Sequence, residues 1–139
     1  METNLETEAK YHLAASLTPI ALATVQLTPY TLHFAQDERQ QDTLLDTPDH
    51  LFYHQGYALR LRRTQSQLML TLKRPGQVSG SVHMREELEA PVATEDALTP
   101  QRWPAKIATP VLALIGDAPV LPLVEHHTHR ETWRVADQG

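Results

Sequence analysis

The strongest constraint in this chain is a period of two that keeps returning with charge on one side of it. In YALRLRRT, Arg60 and Arg62 alternate with Leu59 and Leu61, and in QLMLTLKRPG, Met69, Thr71 and Lys73 alternate with Leu68, Leu70 and Leu72. Side chains of a β-strand point to opposite faces in turn, so each segment reads as a strand with one apolar face and one polar or ionic face. The segment VHMREELEAPV repeats the device, with His83, Arg85, Glu87 and Glu89 opposing Val82, Met84 and Leu88. Glu86 interrupts that apolar face. LETEAKYHL near the start places Glu6, Glu8 and Lys10 on one side and Leu5, Thr7, Ala9 and Tyr11 on the other.

Between these segments, Asp46, Thr47, Pro48 and Asp49 form a turn after a strand spanning Arg39 to Leu45. Asp46 and Asp49 are therefore read as turn residues rather than ligands. Thr18 and Pro19 predict the start of a short helix within Ser16 to Gln26. Thr109 and Pro110 predict a second helix from Pro110 to Ile115, with Thr109 as its cap. From Val120 the chain reads as an extended segment through Trp133 to Val135. Trp103 and Trp133 are expected to serve as core or lid residues.

Charged faces on strands usually mean water. Two features count against that reading here. The ionic faces are rich in arginine, whose planar fork suits phosphate oxygens, and acids share strands with bases. The predicted fold is α+β, mainly antiparallel β, with the sheet curled into a barrel, ionic groups inside and short helices packed outside. Its interior gathers Lys10, Arg60, Arg62, Lys73 and Arg85 with Glu6, Glu8, Glu87 and Glu89. Such a lumen suits a polyanion held together with divalent cations.

Composition narrows the partners. The 139 residues are enough for a single domain over 1–139. With 41% hydrophobic and 21% charged residues, the chain is too apolar for a disordered tail. A net charge of −5 argues against general nucleic-acid affinity. No cysteine is present, so metal binding falls to carboxylates or histidines. The acidic opening METNLETEAK is not a targeting peptide, and no apolar run reaches the length of a membrane span. The expected location is cytoplasmic, with no membrane partner. His126, His127 and His129 read as a surface cluster: only His127 and His129 share a strand face, and no carboxylate is expected to complete a metal set with them.

Glu6-x-Glu8-x-Lys10 resembles the ExExK signature of the CYTH superfamily, the triphosphate tunnel metalloenzymes. The order of the later segments strengthens the likeness. LLDTPDHLFYHQGYALRLRR is similar to the family's Asp-Thr turn and LRxR strand, LTLKRPG to its TLK strand, and VHMREELEAPV to its RxExE strand. Together these cover most of the chain from Leu5 to Val92. GYALRLRR and REELEAPV are most similar to bacterial inorganic triphosphatases in which a CYTH domain precedes a CHAD domain. Where the family often has aromatic residues before Asp-Thr, this chain has Leu44 and Leu45.

The resemblance implies metal-dependent hydrolysis of inorganic triphosphate with Mg²⁺ or Mn²⁺. It implies Glu6, Glu8 and Glu87 as metal-binding carboxylates, with Glu89 in support. Lys10, Arg60, Arg62, Lys73, Arg85 and, later in the chain, Arg130 would bind the triphosphate or another small polyphosphate. Glu6, Glu8, Lys10 and Glu87 are the implied catalytic set. Thiamine triphosphate hydrolysis, cyclisation of ATP by an adenylate cyclase activity, and a non-catalytic polyphosphate-binding module are the alternatives. In the family a turn like ADQG leads into further strands carrying another acidic pair, so the domain is expected to be C-terminally truncated and its barrel incomplete. An open edge would permit a homodimer.

Overall fold

The computed structural model describes residues 4–12 and 24–137. Its strands are β1 (Asn4–Ala9), β2 (Tyr30–Asp46), β3 (Ala58–Arg63), β4 (Leu68–Lys73), β5 (Gln77–Ser79), β6 (Val82–Pro91) and β7 (Leu121–Asp137). Among the described residues two helices, α1 (Leu51–His54) and α2 (Ala105–Ile115), join them, with short 3₁₀ turns at Thr94–Asp96 and Pro100–Arg102. All pairings are antiparallel, in the order β1-β6-β4-β3-β2-β7, with β5 added on β6. The expected barrel is thus present as an open seven-stranded sheet whose terminal strands are β1 and β7.

One face of this sheet is the core. Leu59, Leu70, Leu72, Leu88 and Ala90 are buried on it, beneath Ile107, Ala108, Val111 and Ile115 of α2 and the indole of Trp103. Those four helix residues recur at the spacing of a single helical face, which explains why α2 lies flat on the sheet. Each fully buried leucine contributes about 2 kcal/mol of transfer free energy. Trp103 satisfies its one polar atom by donating to the Asp96 carbonyl at 2.8 Å.

The helix predicted from Pro110 with a Thr109 cap in fact starts at Ala105, and Pro110 lies inside it. A proline there withholds an N–H from the carbonyl four residues back. Burial explains the difference, because the apolar stripe Ile107, Ala108, Val111, Ile115 runs across Pro110 and is buried only if the helix continues through it. The helix predicted within Ser16 to Gln26 falls largely outside the described residues.

Asp46 and Thr47 act as the turn reading predicted. Asp46 Oδ1 accepts the N–H of Thr47 at 2.7 Å and of Phe52 at 3.0 Å, Oδ2 accepts that of Tyr53 at 3.1 Å, and Thr47 Oγ1 accepts that of Leu51 at 3.1 Å. The first amides of α1, which have no partner within the helix, are satisfied by side chains several residues upstream. Asp46 is itself buried, so its carboxylate is committed to this role.

Strand β2 is longer than its predicted Arg39–Leu45. It pairs with β7 from Tyr30 opposite Asp137 to Asp46 opposite Leu121, whereas β3 reaches only Gln41 to Leu45. The outer half of β2 and β7 is therefore a two-stranded ribbon held by ladder hydrogen bonds rather than by burial. A register shift between Phe34 and Gln36 turns Phe34 to the same face as Trp133, and the two rings meet edge to face at 5.4 Å. Trp133 thus serves the ribbon and not the core.

Candidate functional site

The second face of the sheet carries the ions. Directly opposed residues of an antiparallel pair share a face, so the register assigns them. Glu6 stands opposite Arg85 and Glu8 opposite His83. Lys73 stands opposite Glu87, and Thr71 lies between Glu89 on one side and Arg60 on the other. Arg62 faces Asp42, Asp42 faces His126, and Glu38 faces Arg130. Glu6, Glu8, Arg60, Arg62, Lys73, Arg85, Glu87, Glu89 and Arg130 are therefore gathered on one surface although they come from five separate strands.

At the centre of this face the Lys73 ammonium lies 2.7 Å from Glu6 Oε2 and 3.5 Å from Glu87 Oε2. Two carboxylates, one from β1 and one from β6, converge on one cation from β4. Further across, Arg62 binds Asp42 through two parallel hydrogen bonds, Nε to Oδ1 and an amino nitrogen to Oδ2, both 2.7 Å. Burial raises the Asp42 carboxyl pKa, but the Arg62 hydrogen bond and the charges of Arg62, Arg60 and Arg130 outweigh it and hold the group below its usual range. The Arg62 guanidinium is raised in turn, chiefly by that hydrogen bond.

Arg60 is in the opposite position. Burial first, and the neighbouring Arg62 charge second, lower its pKa, while Asp42, Glu87 and Glu89 partly compensate. Among the described residues its side chain makes one hydrogen bond, a long 3.4 Å donation to Thr71 Oγ1, which itself donates to Glu89 at 3.4 Å. Arg60 Nε is buried with no partner, and so is Glu87 Oε2 as a hydrogen-bond acceptor. A native interior leaves few such atoms without a hydrogen bond, and here Arg60 Nε, Glu87 Oε2 and Gln40 Oε1 stand on the same ionic face.

The remaining predicted groups are placed differently. Lys10 lies just past β1, mostly exposed, in an ion pair with Glu8 at 3.0 Å. Arg85 spends its guanidinium on main-chain carbonyls, donating from Nε to Arg74 at 2.7 Å and from an amino nitrogen to Gly56 at 3.0 Å. Between β4 and β5, Arg74, Pro75 and Gly76 oppose only Arg85 and Glu86 on β6, and a Cβ on Gly76 would come within 2.2 Å of Arg85 Cγ and of the Met84 carbonyl oxygen. Glu86, the residue that interrupts the apolar face, is paired with Arg74 at 3.1 Å.

Asp42 and Glu38 were not among the predicted site residues. Their parity with Gln40 and Leu44 in DERQQDTLL was available, but the partner strand that puts them beside Arg62 and Arg130 was not. One expectation is overturned. His129 does have carboxylates beside it: Asp37 and Glu131 approach so that one ligand atom from each of the three lies within 4.8 Å of the others. Asp37 comes from a different strand, β2, and sequence spacing on β7 alone could not supply it.

The carboxylates fit a divalent metal by the chemistry of their donors. Glu6, Glu8, Glu87 and Glu89 offer oxygen ligands only, and Glu6 and Glu87 already converge on a cation, although among the described residues no three of these carboxylates bring ligand atoms within 4.8 Å of one another.

An antiparallel sheet with interleaved acids and bases on one face and helices on the other sets guanidinium and ammonium donors beside carboxylate oxygens. Residues 4–139 match the CYTH domain, and the chain belongs to that family. An inorganic triphosphatase of Haemophilus influenzae is 33% identical over 79 residues, which span 54% of this chain and 22% of that protein. Among solved structures, the candidate adenylyl cyclase HpAC1 from Hippeastrum, described as having a dominant triphosphatase activity, aligns with a TM-score of 0.64 at 22% identity. The alignment covers 83% of this chain and 61% of that one. A candidate adenylate cyclase from Bacillus halodurans aligns with a TM-score of 0.51 at 17% identity, over 73% of this chain and 64% of that one. These two likenesses establish the fold. Among the described residues no helix is long and apolar enough to cross a membrane.

Proposed function

We propose that this domain binds inorganic triphosphate with Mg²⁺ or Mn²⁺ on its ionic face and hydrolyses it. The observation that carries this reading is the buried Arg60 Nε, which has no acceptor among the described residues, beside the convergence of Glu6 and Glu87 on Lys73. A donor without an acceptor suits a phosphate oxygen. Glu87 Oε2, which meets Lys73 only at 3.5 Å and has no hydrogen bond among the described residues, suits a metal ion.

Glu6, Glu8 and Glu87, supported by Glu89, hold the metal, which when bound neutralises charge on the phosphate oxygens. Arg60, Arg62 and Lys73 bind the triphosphate, with Arg130 and Lys10 at the periphery. Arg62 enters this role already fixed by Asp42, so its order is established before substrate arrives. Arg85 secures the bend after β4 that aims Lys73, and contributes its charge to the same face. Product phosphates carry fewer oxygens to these cations than triphosphate does, which favours release. The domain works in the cytoplasm on a small-molecule substrate, without nucleic acid or membrane, and the open β7 edge is suited to pairing in a homodimer.

The test is phosphate release from triphosphate with Mg²⁺ or Mn²⁺, for the wild type and for Glu8→Gln, with ATP and thiamine triphosphate run in parallel. Metal-dependent release that the substitution abolishes supports the enzyme. Tight triphosphate binding without release would instead make this a binding module.

A further inference from the structure

On the face of the β2–β7 ribbon turned away from the ionic surface, we infer a second metal site, formed by Asp37, His129 and Glu131 and suited to a transition ion such as Zn²⁺. Parity separates the two faces: Glu38, Asp42, His126 and Arg130 lie on one, Asp37, His129 and Glu131 on the other. The two sites therefore share no residue.

Three observations carry the assignment. First, Asp37 and Glu131 are directly opposite in the ladder, an arrangement of like charges that costs stability in an antiparallel pair unless a cation intervenes. Among the described residues neither carboxylate makes a salt bridge to a lysine or arginine. Glu131 receives only a long 3.4 Å donation from the Trp133 indole. Second, His129 sits diagonally across from Asp37, with Nε2 in a short contact to Asp37 Oδ1. An imidazole and two carboxylates thus present one ligand atom each within a span of 4.8 Å, the reach of a single ion's coordination shell. Third, the donors stand on two paired strands, in continuous register from Gln36 opposite Thr132 through Arg39 opposite His129, so little order has to be acquired on binding.

The donor set decides the class of ion. Mg²⁺ takes oxygen ligands and keeps its water, whereas an imidazole nitrogen with two carboxylates suits Zn²⁺, and also Co²⁺ or Ni²⁺. Three protein ligands leave a position for water. His127, two residues before His129 on the same face and held by Glu125 at 2.7 Å, stands next along the strand. The consequence is mechanical: an ion here ties β2 to β7 in the stretch of ribbon that, among the described residues, no third strand supports. Binding to the folded state alone raises stability by mass action.

The experiment is titration of the full chain with Zn²⁺ by calorimetry, with Co²⁺ as a spectroscopic probe of imidazole ligation, followed by thermal melts with and without Zn²⁺. The expected result is one equivalent of Zn²⁺ retained in the presence of excess Mg²⁺, visible Co²⁺ absorption, and a Zn²⁺-dependent rise in Tm. His129→Gln, Asp37→Asn and Glu131→Gln should each weaken Zn²⁺ binding tenfold or more and remove the Tm rise, while Glu6→Gln on the other face retains both. All three substitutions are on exposed or half-exposed positions and keep side-chain volume, so circular dichroism should show the fold intact. Absence of a bound equivalent would overturn the site, as would binding that Glu6→Gln removes or that the three ribbon substitutions leave unchanged.

Discussion

Arg62 holds Asp42 in a fork of two 2.7 Å hydrogen bonds, both groups largely out of solvent on the ionic face. The pair links β3 to β2 at the point where the ribbon leaves the sheet, and it separates two arginines that would otherwise be equivalent. Arg62 is spoken for by a carboxylate, whereas Arg60, two residues earlier on the same face, keeps a buried nitrogen without an acceptor.

Asp42→Asn should lower stability by about 2 kcal/mol at pH 7, the size of a charged hydrogen-bonded interaction in a partly buried place. The carboxyl pKa is depressed in the folded state, so its contribution is complete above the unfolded value near ~4 and is lost as pH falls through the lower folded value. Urea unfolding at pH 7 and pH 3 checks this: the gap between wild type and variant should be wider at the first than at the second. An equal gap at both would show that the carboxylate's charge is not what stabilises.

Arg60→Ala should weaken triphosphate binding at least tenfold, a loss of about 1.4 kcal/mol or more. Arg60→Lys should recover only part, since an ammonium cannot reproduce the planar fork. Calorimetric titration of both variants measures it, and full recovery by lysine would mean that Arg60 acts as a simple point charge.

Glu87→Gln should abolish metal-dependent phosphate release, by about 100-fold or more, while leaving the protein folded. Glu87 Oε2 meets Lys73 only at 3.5 Å and has no hydrogen bond among the described residues, so a neutral amide removes a candidate ligand and a long ion pair but no hydrogen bond of that oxygen. Steady-state hydrolysis across a range of Mn²⁺ concentrations tests this, and wild-type rates at saturating metal would exclude Glu87 from the metal set.

Asp46→Ala should destabilise the fold by about 3 kcal/mol, because it strips the acceptor from three amides around α1, two of them buried. A thermal melt reads the loss. A shift within experimental error would mean that water replaces the carboxylate without cost.

The period of two in YALRLRRT, QLMLTLKRPG and VHMREELEAPV was enough to assign three of the strands and the side on which each charge lies. A strand's faces follow from local geometry alone, and so does the Asp46–Thr47 turn, whose partners lie within seven residues. The start of α2 was not legible, because the local rule for proline was overridden by burial of Ile107 and Ala108 against a sheet contributed by distant strands. For the same reason Asp42 and Asp37 were missed: each acquires its meaning from a cross-strand neighbour, Arg62 or His129, and register is set by the whole ladder. The sequence by itself determined which residues carry charge and which face of a strand they occupy. Only the tertiary structure decided which of those charges meet, that Arg62 is held by a carboxylate while Arg60 Nε has no acceptor among the described residues, and that Arg85 turns to the backbone. Those outcomes depend on ångström-scale distances between chain segments as far apart as Glu6 and Lys73, which no local pattern encodes.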